Sequence, residues 1–193
     1  FAAPAAKLDE SYMLHQEGNQ IFNAKGEAVR LLGVNVPQLS WSATSDGTVR
    51  TALDVALRDY KSNAVRLAVV PRFWLNGAFQ TRTVTINGKT VVQNVLDENG
   101  NPIQTTTAQE YRALVDELID KITAAGKYVI LDNHGFYLPT QKDIDFWKSA
   151  AAHYKNHPNV IFGVFNEPAG CTWREFYEGG HIVFEGTNDW GAY

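Results

Sequence analysis

The stretch Val160-Ile161-Phe162-Gly163-Val164-Phe165 runs without a polar side chain and then meets Asn166-Glu167-Pro168. An apolar run of this length, bounded by turn-forming residues, predicts a strand buried on both faces. A carboxylate at the C-terminal tip of such a strand is where a barrel enzyme places a catalytic group. Three runs of the same kind precede it, at 31–35, 64–70 and 128–132. Between them the pattern changes to helical spacing. From Thr48, the residues Val49, Leu53, Ala56, Leu57 and Tyr60 share one stripe. Thr107 and Glu110 form a capping box ahead of Tyr111, Leu114, Val115, Leu118, Ile119 and Ile122, and Gly126 stands where that helix should stop. Thr140 and Asp143 open another helix, carried by Ile144, Trp147, Ala151 and Tyr154 and ended by Pro158. Buried strands alternating with amphipathic helices predict an α/β fold of parallel strands covered by helices.

Two segments fall outside the alternation. Residues 7–30 hold short strand-like runs punctuated by Gly18 and Gly26, and predict a small hairpin ahead of the first core strand. Residues 77–106 form an insertion after the second strand. It contains Thr83-Val84-Thr85-Ile86, then Asn87-Gly88, then Lys89-Thr90-Val91-Val92, a strong hairpin signal. A structureless loop of that length would be unusual in a compact domain, so an ordered flap is expected. Because it follows a strand, it belongs on the face that carries active-site loops.

Composition narrows the class. The chain has 193 residues, enough for one domain with a sizeable core, and an ordinary apolar fraction. Its net charge of -4 has no basic block, which argues against nucleic acid or an anionic membrane as partner. No apolar run is long enough to span a bilayer. The single cysteine, Cys171, cannot form an internal disulfide and has no base nearby in sequence to make it a nucleophile. The opening Phe1-Ala2-Ala3-Pro4-Ala5-Ala6 has the small-residue character of a signal cleavage region or short linker, and the expectation is a secreted protein.

Chemistry-bearing residues gather at the strand ends. Arg66 interrupts the second strand, Asp132 and His134 close the third, and Asn166 and Glu167 close the fourth. In a parallel barrel these ends converge on one pocket. A buried guanidinium needs partners, and Asp132 is one within reach of the pattern. No third or fourth ligand accompanies Asp132 and His134 at a recognised spacing, so neither a metal nor another cofactor is expected. Aromatic residues fill the loops that follow the strands: Trp41, Phe73, Trp74, Phe136, Tyr137 and Trp173. Sugar rings present apolar C–H faces that stack on such side chains, so Trp41, Trp74, Tyr137 and Trp173 are candidate groove residues. Core packing is the competing reading for each. Trp147 and Tyr154, on a helical stripe, are read as core.

Leu32-Gly33-Val34-Asn35, Val65-Arg66-Leu67, Leu131-Asp132-Asn133-His134 and Asn166-Glu167-Pro168 stand in the order seen in glycoside hydrolase family 5, the cellulase and mannanase family. The chain resembles the first half of that family's (β/α)8 barrel, four strands plus an N-terminal hairpin. The resemblance implies that Glu167 is the general acid/base of a retaining endo-β-glycanase. It implies that Asn166 bonds the sugar 2-hydroxyl, that Arg66 bonds the nucleophile carboxylate, and that His134 bonds substrate hydroxyls. To deliver a proton near neutral pH, a carboxyl needs burial or a neighbouring negative charge to raise its pKa toward ~6. The apolar strand before Glu167 makes a low-dielectric setting the expectation.

A retaining mechanism also needs a second carboxylate about 5–5.5 Å away. By resemblance it lies on a seventh strand, and this sequence ends at Tyr193. Glu175, Glu178 and Glu185 read as surface groups on a loop-to-helix start, not as a displaced nucleophile. The expected partners are therefore a polysaccharide and the C-terminal half of the barrel, from the same or a companion chain, or a second copy by self-association. The chain alone is expected to be inactive. A non-catalytic carbohydrate-binding or assembly subunit is the alternative.

Overall fold

The computed structural model describes residues 9–40 and 48–178. The small-residue N-terminal region, Trp41 and Glu185 lie outside the described residues, as do the side chains of Tyr137 and Glu175. A short 3-10 turn, Glu10–Tyr12, leads into β1 (Leu14–Glu17) and β2 (Gln20–Asn23), which pair antiparallel as the expected N-terminal hairpin. The first core strand, β3 (Gly33–Asn35), is followed by α1 (Thr48–Asp59) and β4 (Ala64–Val69). A six-residue helix, α2 (Pro71–Asn76), precedes the insertion, which holds β5 (Ala78–Phe79), β6 (Thr81–Ile86), β7 (Lys89–Asn94) and β8 (Gln104–Thr106). Then come α3 (Ala108–Ala124), β9 (Tyr128–Asn133), β10 (Phe136–Tyr137) and α4 (Gln141–Tyr154). The described chain closes with β11 (Val160–Gly163), β12 (Glu167–Pro168) and α5 (Trp173–Glu178).

The strands β11, β9, β4 and β3 lie side by side in that order, all parallel. Each crossover carries a helix, so the architecture is α/β, an open portion of a parallel barrel. The period of two decides which residues face which layer. Val65, Leu67 and Val69 of β4 pair with Val129, Leu131 and Asn133 of β9, and the apolar members of this face join the helices in one core. The opposite face carries Arg66, Ala68, Ile130, Asp132, Ile161 and Gly163, interspersing polar groups with small or branched ones. That inner face carries the candidate site residues Arg66 and Asp132.

The helices form where capping and periodicity coincide. Thr107 Oγ1 accepts from the Glu110 N–H, and the Glu110 carboxylate accepts from the Thr107 N–H. The stripe from Tyr111 to Ile122 is buried, and the Tyr111 hydroxyl accepts from the Val70 N–H at 3.0 Å, joining α3 to the end of β4. Thr140 opens α4 by donating both its N–H and its hydroxyl to Asp143, whose other oxygen accepts from the Asn133 amide.

Three local expectations shift. Tyr60 does not extend the buried stripe of α1: the helix ends at Asp59, Lys61 takes a left-handed φ of 49°, and the phenol is exposed. On α4 the buried line is Asp143, Phe146, Ala150 and Tyr154, while Ile144 is exposed. Phe146 wins the inward place because it meets the Trp74 indole edge-on, ring centroids 5.7 Å apart, and Trp147 packs on the flank against Phe162. The fourth core strand is also shorter than its apolar run. Pairing ends at Gly163, and Val164 is 72% exposed, because β11 has a described neighbour on one side only.

The insertion is ordered. β6 and β7 pair in unbroken register from Thr81↔Asn94 to Ile86↔Lys89. Asn87 and Gly88 both take positive φ, 51° and 76°, the turn whose twist matches the flanking strands. The pairing of β5 with β8 closes its base, and Asp97 Oδ1 accepts from the Asn99 and Asn101 N–H groups in the second turn.

Candidate active site

The inner-face alternation places Arg66 three residues before the end of β4 and Asp132 one residue before the end of β9. The strands are neighbours, so the guanidinium reaches across: Arg66 Nη2 lies 2.7 Å from Asp132 Oδ2. The same oxygen meets His134 Nδ1 at 2.8 Å. Arg66 Nη2 also donates to Asn166 Oδ1 at 2.5 Å, tying β4 to the segment that follows β11. Four residues from three strand ends thus form one hydrogen-bonded chain: His134, Asp132, Arg66 and Asn166. The Asp132 side chain is 3% exposed, and Arg66 keeps 28% of its surface in contact with solvent. A buried carboxylate with two charge-capable donors is the arrangement such a group needs in a low-dielectric face.

Backbone pairing aligns the next residues. The His134 N–H donates to Val69 O, and the Glu167 N–H donates to Gly135 O at 3.1 Å. β12 then runs parallel to β10, with Phe136 opposite Glu167 and Tyr137 opposite Pro168. Gly135 is required for this approach, because a Cβ there would lie 2.4 Å from the Phe165 ring. The His134 ring packs edge-on against Phe136, centroids 5.3 Å apart.

Sequence expectations and placement agree in part. Arg66, His134 and Asn166 come together, and Glu167 follows Asn166 directly. For Arg66, the carboxylate partner found among the described residues is Asp132, the alternative to a nucleophile carboxylate. Asn166 Nδ2 is buried and has no partner among the described residues. The low-dielectric setting expected for Glu167 is not provided by this part of the chain: Glu167 is exposed, because the chain leaves the sheet after Gly163.

Trp74 is corrected from groove to core. Pro71 starts a helix instead of a loop, and the indole turns inward on it. It is 1% exposed, packs on Phe146 and Tyr154, and donates through Nε1 to Ser149 Oγ at 3.0 Å. Trp173 is 78% exposed and stacks on Phe176 with planes 21° apart. Tyr137 enters only through its backbone pairing in β10, and Trp41 lies outside the described residues. Trp147 stays in the core flank and donates through Nε1 to Val164 O. Asp132, which the sequence offers as a structural partner for Arg66 without a role toward substrate, takes that place and also meets His134. Its signal was the spacing Asp132-x-His134, which puts both on one face of a strand beside Arg66.

Among the described residues no three His, Cys, Asp or Glu side chains gather to hold a metal ion. No described helix is long and apolar enough to cross a membrane.

The family model described as Cellulase (glycosyl hydrolase family 5) matches residues 22–193. Endoglucanase MaCel5A of Microbulbifer sp. is 23% identical over 93% of this chain and 33% of its own length. Endoglucanase A of Butyrivibrio fibrisolvens is 25% identical over 88% of this chain and 35% of its own length. The chain thus spans about a third of the length of these curated relatives. Among solved structures, the β-glucanase SdGluc5_26A from Saccharophagus degradans in complex with cellotetraose superposes with a TM-score of 0.59 at 20% identity. That match covers 90% of this chain and 51% of the other. At such identity the likeness speaks for the fold, a barrel of which this chain forms about half.

Proposed function

The chain belongs to the cellulase family, glycosyl hydrolase family 5, and on that premise we propose that it carries the acid/base half of a retaining endo-β-glycanase acting on β-1,4-linked polysaccharide. The observation that supports this most is the Asn166–Glu167 pair. Arg66 holds the amide through Oδ1, and Nδ2 is left buried without a partner among the described residues. A donor held in this way suits a sugar 2-hydroxyl, a contact that strengthens as the ring gains oxocarbenium character. Glu167, the next residue, would protonate the leaving oxygen and then activate the water that resolves the glycosyl intermediate. His134 would bond hydroxyls beside the cleaved link, and Trp173 and Tyr137 would stack on sugar faces.

The nucleophile would come from later strands of the same barrel, on this or a companion polypeptide. Among the described strands, β3 and β11 are the sheet's edges, and edge strands with unpaired backbone favour further pairing. A groove beside β3, lined by Val34, Ala52, Val55 and Tyr60, offers apolar surface for the adjoining layer. Closing the barrel would also supply the apolar cover that Glu167 lacks here. A polymeric substrate cannot enter a cell intact, so the site of action proposed is extracellular.

Trp173, so largely exposed, also suits a second reading, a subunit that binds carbohydrate without cleaving it. One experiment separates the two. The chain is assayed on β-glucan alone and after addition of a polypeptide bearing the later strands. Reducing sugar should appear only in the mixture and vanish with Glu167→Gln. Binding of cello-oligosaccharides without turnover in the mixture would favour the binding subunit.

A further inference from the structure

We propose that Asp132 is a positioning residue that sets which His134 nitrogen meets substrate, leaving Nε2 as a hydrogen-bond acceptor for a hydroxyl. This deepens the glycan-cleaving reading and rests on it for the identity of the ligand. A neutral imidazole carries one proton, and the hydrogen bond made by one nitrogen decides the state of the other. A carboxylate can only accept, so the nitrogen 2.8 Å from Asp132 Oδ2 must be the one that bears the proton. Nδ1 is therefore the donor, and Nε2, which has no partner among the described residues, keeps its lone pair.

The arrangement is rigid. Asp132 is held from a second side by Arg66, 2.7 Å from the same oxygen. A guanidinium cannot accept, so its contact with Asn166 also fixes the amide: Oδ1 faces Arg66, and Nδ2 faces away as a donor. One buried carboxylate thus orders a matched pair across the site, an acceptor on His134 and a donor on Asn166. Neighbouring sugar hydroxyls can satisfy both, since each both donates and accepts. In serine hydrolases an asparagine in place of the ring-orienting aspartate gives the wrong tautomer at great cost; here Arg66, which can only donate, would hold the amide oxygen toward itself and the ring.

The test is a nitrogen-15 spectrum of the His134 ring in the full polypeptide, at a pH where the ring is neutral. The wild type should show the proton on Nδ1. Asp132→Asn should keep it there, because its amide oxygen can take the place of Oδ2 between Arg66 and the ring. Asp132→Ala should move the proton to Nε2, the position an unconstrained ring prefers. A proton on Nε2 in the wild type overturns the proposal, even if the alanine variant does not fold. So does a tautomer unchanged in Asp132→Ala. Cellotetraose should then shift Nε2 more than Nδ1. The predicted tautomer without any response to cellotetraose would support the positioning role and count against the glycan reading.

Discussion

The Asp132 carboxylate lies 2.7 Å from the Arg66 guanidinium on the inner face of the sheet, and its side chain is almost wholly buried. Removing one partner of such a pair leaves a buried charge without compensation. Arg66→Ala should destabilise the protein by about 3 kcal/mol, the low end for breaking a buried pair, because Arg66 keeps some contact with water. Denaturant unfolding checks this. A loss below roughly 1 kcal/mol, the range of surface pairs, would mean that water reaches Asp132.

Trp74 and Trp173 should separate stability from binding. Trp74→Phe loses the bond to Ser149 and part of the contact with Phe146. It should lower stability by about 1–2 kcal/mol while leaving oligosaccharide affinity unchanged. Trp173→Ala should do the reverse, with near-wild-type unfolding and weaker cello-oligosaccharide binding by calorimetry. Weakened binding in Trp74→Phe, at unchanged stability, would return that residue to the groove.

The cap of α3 is a local and independent test. Thr107 Oγ1 accepts from the Glu110 N–H, and Thr107→Ala should cost about 1 kcal/mol. Thr107→Ser, which keeps the oxygen, should cost little, as read from the unfolding midpoint.

His157 should make stability sensitive to mild acid. Burial holds its imidazole below the ordinary value of 6.5. The unfolded chain therefore binds the proton more readily, so stability is complete above that value and declines as pH falls through it. Unfolding midpoints at pH 7 and pH 5 should differ less in His157→Gln than in the wild type. Equal differences would show that other groups account for the acid sensitivity.

The frame was legible where independent signals coincide. β4 and β9 read as buried strands because helices cover one face, and on the other Ala64, Ala68 and Asp132 are buried as well. The Thr107–Glu110 box and the Asn87–Gly88 turn are chemical requirements of the backbone, readable at single positions. Trp74 was harder to place, because an aromatic residue just after a strand suits a groove loop and a short helix equally. Pro71 at the first helical position carried the information and outweighed the loop. On α4, Ile144 and Phe146 lie on overlapping stripes, and only the presence of Trp74 opposite selects Phe146. The setting of Glu167 was read from the strand before it. Its exposure depends on what lies beside β11, a nonlocal fact. Arg66 was recognisable as needing a partner, but the diagonal that joins it to Asp132 and Asn166 exists only once register is set.

In the proposed mechanism Glu167 is the proton donor. The most direct test compares two substrates with the Glu167→Ala variant of the assembled enzyme. β-Glucan has a poor leaving group and needs the proton, whereas an aryl cellobioside with an acidic phenol does not. Cleavage of β-glucan should fall by about 10²–10⁴-fold, while the first chemical step on the aryl glycoside, followed as phenol release in the burst, should change far less. An equal loss on both substrates would contradict the assignment and give Glu167 another role.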